Sequence, residues 1–283
     1  MNMTLMTMPD LSSPEIWLSF LTLTFLEIVL GVDNIIFISI ASSKLKHEDQ
    51  ARATNIGLIL AMVMRIALLF GISWIIAMES PWFYIDWPGV HGAFSGQSLI
   101  LAAGGIFLLY KAVSEIHHKL ESQSMPGEVG KGKKPSTLQS AIIEITLINI
   151  VFSFDSILTA VGMTSGLEGA LVIMIVAVVA SVVIMMLFAV PVGRFVNRHP
   201  TIQMLGLSFL ILIGFMLIAE GAHIAHLTIA GQSVGAIPKG YLYFAIAFSL
   251  GVEFLNLRLR KPRSAVQLHG IKEEAVKEGF IEP

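Results

Sequence analysis

Two segments of the chain place acidic, amide and hydroxyl side chains inside long apolar runs. Residues 26–35 read LEIVLGVDNI, and residues 148–157 read INIVFSFDSI. An ionised group at mid-bilayer costs about 2.5–3.5 kcal/mol, so an acid present in both segments indicates a function. The oxygen atoms of these side chains are ligands for a cation, and they come from Glu27, Asp33, Asn34, Asn149, Asp155 and Ser156.

The composition defines the surroundings of these groups. The chain has 283 residues, of which 55% are hydrophobic and 13% charged, a balance that a soluble domain of this size does not show. We therefore interpret it as an integral membrane protein. The net charge of -2 offers no basic excess for nucleic acid. The absence of cysteine excludes disulfides, thiolate metal sites and cysteine catalysis.

Seven apolar segments are long enough to cross the hydrocarbon core as helices. Turn and helix-breaking residues such as Pro88, Gly89, Pro200 and Pro238 separate them. The predicted fold is therefore an all-α polytopic membrane protein. Its spans are predicted at residues 16–41, 54–78, 97–117, 138–162, 168–190, 202–221 and 240–257.

Basic residues alternate between the loops. They follow spans 1, 3, 5 and 7, whereas the N-terminus and the other loops carry only Lys239. Cytoplasmic loops carry the excess of Lys and Arg, so this pattern predicts an N-terminus outside the cytoplasm and a cytoplasmic C-terminus.

The two acidic segments are three spans apart and should therefore cross the membrane in opposite directions. A third-span match, residues 105–111 with 214–220, supports the same register. We expect an inverted repeat of three plus three spans, which places equivalent groups symmetrically about the midplane, as in secondary transporters. The predicted parts are a short outer N-terminus (1–15), a transmembrane domain (16–257) with repeats 16–117 and 138–221 and an extra helix 240–257, and a cytoplasmic tail (258–283).

The predicted donors are all oxygen atoms, which suit Mn, Mg or Ca and do not distinguish among them. On an ideal helix Glu27, Gly31 and Asn34 share one face, whereas Asp33 lies about 100° from Asn34. We expect the helix to tilt, bend or unwind near Gly31 so that carboxylate and amide converge. The alternative interpretation is hydrogen bonding between helices, which applies best to isolated amides and hydroxyls.

Four further charged residues within the spans are candidates for gating or proton coupling: Arg65, Lys111, Glu220 and Glu253. Arg65 is expected to neutralise an acid when the ion is absent or to form a static ion pair. By depth, Lys111 is expected to pair with Asp33 towards the cytoplasm, and Glu220 to assist Asp155 towards the outside. His223 and His226 fit an interfacial pair better than a metal vestibule.

Several strings together resemble the TerC family of integral membrane proteins. They are EIVLGVDN at 27–34, MR at 64–65, FSFDS at 152–156, LSFLILIG at 207–214 and VE at 252–253. The resemblance covers nearly all of residues 15–257. It implies a multi-pass protein of the bacterial inner membrane linked to metal-ion homeostasis, with manganese export proposed for members and an association with tellurite resistance. Many members carry an acid where this chain has Asn149, so the resemblance does not determine which ion this chain binds.

The function expected from these observations is export of a divalent cation, most favourably Mn²⁺, in exchange for protons. The ion would be cargo, and no tightly bound cofactor is expected. The partners are then the ion and the lipid bilayer. The alternatives are a membrane component that supports resistance or secretion without transport and, more remotely, an intramembrane aspartyl enzyme, which the absence of a Gly-x-Gly-Asp loop disfavours.

Overall fold

A computed structural model describes residues 12–124, 137–164 and 167–259. The side chains of Leu30, Val32, Asp33, His47, Ile72, Ser73 and residues 122–124 lie outside this description. The helices are α1 (Pro14–Ser42), α2 (His47–Phe70), α3 (Ile72–Ala77), α4 (Gly96–Ser124), α5 (Leu138–Thr164), α6 (Ala170–Arg198), α7 (Pro200–Ile224) and α8 (Lys239–Leu259).

All of these helices except α3 are long and apolar enough to cross a membrane, which gives seven spans in the described ranges. The predicted all-α polytopic fold is confirmed. The helices follow from the apolar runs because a backbone in lipid must satisfy its own N–H and C=O groups. Proline begins two of them at the first position, where its missing N–H is no loss: Pro14 in α1 and Pro200 in α7.

The second span begins and ends earlier than predicted, since α2 starts at His47. The segment 54–78 was expected to be continuous, but α2 ends at Phe70 and α3 follows after Gly71. Gly71 has φ -80° and ψ 9°, outside the helical region, and its N–H still bonds to the carbonyl of Ala67 at 3.1 Å. The chain therefore bends at Gly71 without leaving its amide unpaired.

The helices that carry the two acidic segments are continuous. Both α1 and α5 remain helical through the segments 26–35 and 148–157, so α1 does not unwind near Gly31, which leaves tilt or bend of the three expected distortions. Gly31 instead permits close packing, because a Cβ at this position would overlap the sulfur of Met185 in α6. The absence of a side chain at Gly31 therefore allows α1 and α6 to pack closely.

The helices pack in a regular set of pairs. The most extensive contacts join α4 with α7, α1 with α6 and α2 with α5. Gly105 of α4 and Gly214 of α7 cross so closely that a Cβ on Gly105 would lie 2.5 Å from the Gly214 carbonyl oxygen, and one on Gly214 2.9 Å from that of Gly105. These glycines occupy matching positions of the expected repeat, and the pairs are those that it requires. The inverted repeat itself stays a prediction.

Two loops form a small sheet that the sequence analysis did not predict. Strands β1 (Pro81–Trp87), β2 (Val90–Ser95), β3 (Thr228–Ile229) and β4 (Gln232–Ser233) pair antiparallel in that order. The Pro88-Gly89 turn, with Gly89 at φ 87°, between aromatic and β-branched residues was the missed hairpin signal. We call this end of the helices the sheet end, and the end where α1 meets α2 the opposite end.

The chain divides into two units, residues 1–244 and 245–283. The described part of the second unit is the remainder of α8. Several of its large apolar side chains are exposed, as expected of a helix that faces lipid; among them are Phe248, Phe254 and Leu255.

Candidate cation site

Asp155 meets a lysine at the sheet end of the first unit. The Lys239 ammonium donates to Asp155 Oδ2 at 2.8 Å and to the hydroxyl of Thr159 at 2.7 Å. The side chains of Asp155 and Lys239 are 18% and 30% exposed. The pair is therefore accessible from outside the protein, unlike an ion pair in a packed core.

Helix geometry places these oxygens together. Asp155 and Thr159 are four residues apart on α5 and share one face. Lys239 is the first residue of α8 and follows Pro238, which cannot continue a preceding helix. The carboxylate and hydroxyl of α5 thus form a two-oxygen cradle, and the ammonium sits in it.

Two cavities open onto this cradle. A polar one of about 600 Å³ is lined by Asp155, Thr159, Lys239 and Glu220, together with Glu79, His223 and His226. A smaller, mostly apolar one of about 40 Å³ also touches Asp155, Glu220 and Lys239. Asp155 of α5 and Glu220 of α7 therefore line both of these cavities. Both histidines lie at the edge of the larger cavity.

Glu27 forms a second, more deeply buried ion pair. Its carboxylate Oε2 accepts from Nη1 of Arg65, and the side chains are only 4% and 7% exposed. Arg65 Nε also donates to the Ser153 hydroxyl at 3.1 Å, so α2 links α1 with α5. Glu27 and Ser153 belong to the two acidic segments, and Arg65 joins them.

The neutral predicted ligands have different surroundings. Asn149 donates to the Ile145 carbonyl at 2.8 Å, and Ser156 donates to the Ser153 carbonyl at 3.2 Å, both within α5. Asn34 is buried, and its Oδ1 has no hydrogen-bond partner in the described protein. A buried amide oxygen without a donor is uncommon, and it is available to an ion or water.

Asp33, the remaining predicted ligand, lies outside the described side chains, so its expected pairing with Lys111 is not tested. Lys111 itself contacts Glu144 at 3.0 Å and Glu115 at 3.8 Å at the opposite end. Lys44 also contacts both of these acids. Lys44, Lys111, Glu115 and Glu144 form a group that we call the charge cluster. It joins the α1–α2 connection to α4 and α5.

The described acids of the predicted site, Glu27 and Asp155, belong to separate ion pairs. Among the described residues there is no group of three or more His, Asp or Glu side chains able to hold a metal. Glu27 and Asp155 each face a cation supplied by the protein. Glu253 lies in the second unit and is half-buried there.

Sequence reasoning overlooked Lys239, Thr159, Glu115 and Glu144. The sequence shows Lys239 as a basic residue in an otherwise neutral loop, and a single lysine beside a span is a signal for an acidic partner. Glu144 and Thr159 lie in the same span as Asp155, eleven residues before it and four after. Only the packing of α4 and the start of α8 near α5 reveals their partners.

The fold and the site define a class: a multi-pass helical membrane protein with a polar cavity that reaches an acid in a spanning helix. A family model described as the integral membrane protein TerC family matches residues 12–267. The chain belongs to the TerC family of integral membrane proteins.

Three bacterial proteins are similar to most of this chain. UPF0053 inner membrane protein YgdQ of Escherichia coli (strain K12) is 45% identical over 247 residues, covering 87% of this chain and 94% of the relative. A UPF0053 protein of Haemophilus influenzae is 41% identical over 251 residues, covering 89% and 97%. UPF0053 inner membrane protein YoaE of E. coli K12 is 41% identical over 254 residues, which cover 90% of this chain but 45% of YoaE.

No solved structure gives a significant match. The relatives named as inner membrane proteins, together with the seven spans, support a multi-pass protein of the inner membrane.

Proposed function

We propose that this protein is a transporter that exports a divalent cation, with Mn²⁺ as the favoured cargo, and that Asp155 contributes to the ion site. One observation carries the proposal: Asp155 and Glu220, from different helices, line one polar cavity of about 600 Å³, where the Lys239 ammonium pairs with Asp155. A buried or half-buried acid in a spanning helix that faces a cavity is typical of an ion pathway.

The chemistry of the cavity supports a hard cation. Oxygen atoms of Asp155, Thr159, Glu220 and Glu79 line it, beside the imidazoles of His223 and His226. Oxygen ligands suit Mn, Mg and Ca, and imidazole nitrogen is also a ligand for transition metals. Asn34 adds a buried oxygen without a donor in α1. In this proposal Asp33, whose place in α1 matches that of Asp155 in α5, supplies the equivalent acid from the first segment.

The proposed orientation gives the two ends different roles. With the N-terminus outside, the sheet end with its cavity faces outward, and the charge cluster of Lys44, Lys111, Glu115 and Glu144 faces the cytoplasm. The ion pairs of that cluster hold α4 and α5 together on the cytoplasmic side. This arrangement corresponds to a conformation open to the outside, which alternating access requires as one of its two states.

Proton exchange is the proposed coupling. When a divalent ion leaves two carboxylates at depth in the membrane, the uncompensated charges are costly, and protons are the simplest replacement. Glu27, Asp33, Asp155 and Glu220 are the candidate carriers. Glu27 is the least accessible of the described three, because Arg65 neutralises it in a buried site.

A non-transporting role in resistance or secretion is the second candidate. It is favoured by one observation: this chain matches less than half of YoaE, so the same membrane domain also occurs in longer proteins. Catalysis is not proposed, since the Asp155 carboxylate pairs with an ammonium, whereas the acids of an aspartyl dyad share a proton with each other.

Transport by purified protein in liposomes separates these candidates. The liposomes would contain an ion-sensing dye and receive Mn, Mg, Ca or Zn, with and without a pH gradient. We expect Mn²⁺ flux that increases with an opposing proton gradient and falls at least about tenfold in Asp155→Asn. Asp86→Asn, the same change on the exposed strand β1, is the matched control and should transport normally. No flux of any ion in wild-type protein would leave the non-transporting role.

A further inference from the structure

We propose that Lys239 is a tethered competitor of the transported cation: its ammonium occupies the Asp155–Thr159 cradle until a divalent ion displaces it. This inference deepens the proposed function and rests on it. The juxtaposition that carries it is one ammonium held by two oxygens, at 2.8 and 2.7 Å, beside an open polar cavity.

The ammonium occupies the position that a metal ion bound by these two oxygens would take. A metal ion bound to Asp155 Oδ2 and the Thr159 hydroxyl would need the space that Lys239 Nζ fills, because oxygen-ligated divalent ions lie only about 2.0–2.6 Å from their ligands. Lysine and ion therefore cannot share the cradle. Binding of the ion requires departure of the ammonium.

The cavity offers the ammonium a second partner. Glu220 lines both cavities together with Asp155 and Lys239. Lysine has a flexible four-carbon stem, so its head group can move without movement of α8. Glu220 is therefore the acid that we expect to receive the displaced ammonium, and Glu79 is a further acid on the wall of the larger cavity.

The tether favours divalent over monovalent cations. An attached ammonium competes at the high effective concentration of an intramolecular group. A monovalent ion that displaces it gains no charge advantage at Asp155, whereas a divalent ion doubles the attraction to the carboxylate. Lys239 thus excludes Na⁺ and K⁺ and also weakens the hold on the divalent ion, which promotes its release.

Mn²⁺ binding to the purified full-length chain in detergent tests the inference, with free Mn²⁺ measured by its electron paramagnetic resonance signal. Lys239→Gln should bind Mn²⁺ at least about tenfold more tightly than wild type, about 1.4 kcal/mol. Its binding should also become sensitive to added K⁺. Lys239→Arg keeps the charge and is the matched control, with affinity near that of wild type.

A second measurement uses the wild-type chain and needs no variant. Mass spectrometry after brief treatment with an amine-reactive reagent reports how accessible Lys239 is, and saturating Mn²⁺ should increase its modification. The exposed Lys46 in the α1–α2 connection serves as the reference amine, and its modification should not change with Mn²⁺.

The outcomes separate the two proposals. Saturable Mn²⁺ binding that Lys239→Gln leaves unchanged or weakens, with unchanged labelling of Lys239, overturns the tethered-competitor inference and leaves the transport proposal intact. The absence of saturable binding of Mn²⁺, Mg²⁺ or Ca²⁺ to wild type and to Lys239→Gln overturns the transport proposal, and the inference with it.

Discussion

The two ion pairs of the acidic segments differ in what surrounds them. Glu27 and Arg65 are 4% and 7% exposed and lie between three helices, whereas Asp155 and Lys239 are 18% and 30% exposed beside a cavity. An ion pair cut off from water is hard to open, because each charge loses its partner without gaining solvent. We infer that the pair of Glu27 and Arg65 fixes helices in place, whereas Asp155 can exchange the Lys239 ammonium for another cation.

Removal of Arg65 tests most strongly whether the buried pair is structural. Arg65→Met leaves the Glu27 carboxylate buried without a partner, and we expect a loss of about 3–5 kcal/mol in the free energy of unfolding. Unfolding in mixed detergent micelles, followed by circular dichroism, measures it. The double variant Glu27→Gln/Arg65→Met removes both charges and should recover most of the loss. An Arg65→Met protein as stable as wild type would mean that this pair does not fix the helices.

The α4–α7 crossing extends the fixed part of the molecule. Gly105→Val places a side chain against the Gly214 carbonyl oxygen, and we expect about 1–3 kcal/mol of destabilisation from overpacking. The same unfolding measurement applies. Gly162→Ala is the control, since beyond its own helix backbone no described atom lies within 4 Å of the added Cβ, and it should cause no loss. Equal stability of the two variants would contradict the close crossing.

The charge cluster at the opposite end should give a smaller effect. In Lys111→Met, Glu144 keeps Lys44 at 3.6 Å, and the cluster is partly solvated, so we expect a loss of no more than about 1 kcal/mol. The larger consequence is expected in transport, because this cluster is the proposed cytoplasmic closure. Stability and liposome flux measured on one preparation test both, and a loss as large as that of Arg65→Met would place the cluster with the fixed pair.

Lys239→Gln should have the smallest effect on stability, and it distinguishes most directly between an exchangeable pair and a structural one. Because the Asp155 carboxylate is partly solvated, we expect the free energy of unfolding to change by less than about 0.5 kcal/mol. The same variant is expected to bind Mn²⁺ more tightly. A large loss of stability would show that Lys239 and Asp155 form a structural pair like Glu27 and Arg65.

Much of the fold could be predicted because the bilayer imposes length and hydrophobicity on each span. The predicted spans agree with the observed helices, apart from the earlier start of α2, its end at Gly71 and the longer ends of α4 and α6. The sheet was overlooked because loop strands of two to seven residues lie in short segments with little periodicity, although Pro88-Gly89 carried a hairpin signal.

The acids of the candidate site were predictable, and so was a basic role for Arg65, but not which acid Arg65 meets or that Lys239 meets Asp155. Glu27, Asp155 and Glu220 could be selected from the cost of charge in a membrane. Their expected convergence with the amides on one ion stays a prediction. The described structure shows continuous helices α1 and α5, and it gives Glu27 and Asp155 each a basic partner. Asp33 keeps its predicted role untested.

The sequence by itself determined the seven spans, the family and the presence of costly acids in two of the spans, because hydrophobicity and charge act locally along a chain. Only the tertiary structure decided which cation faces each acid. Arg65 reaches Glu27 across 38 positions, and Lys239 reaches Asp155 across 84. Contacts between distant segments depend on how helices pack, and that packing decides which acid is enclosed and which one meets the cavity.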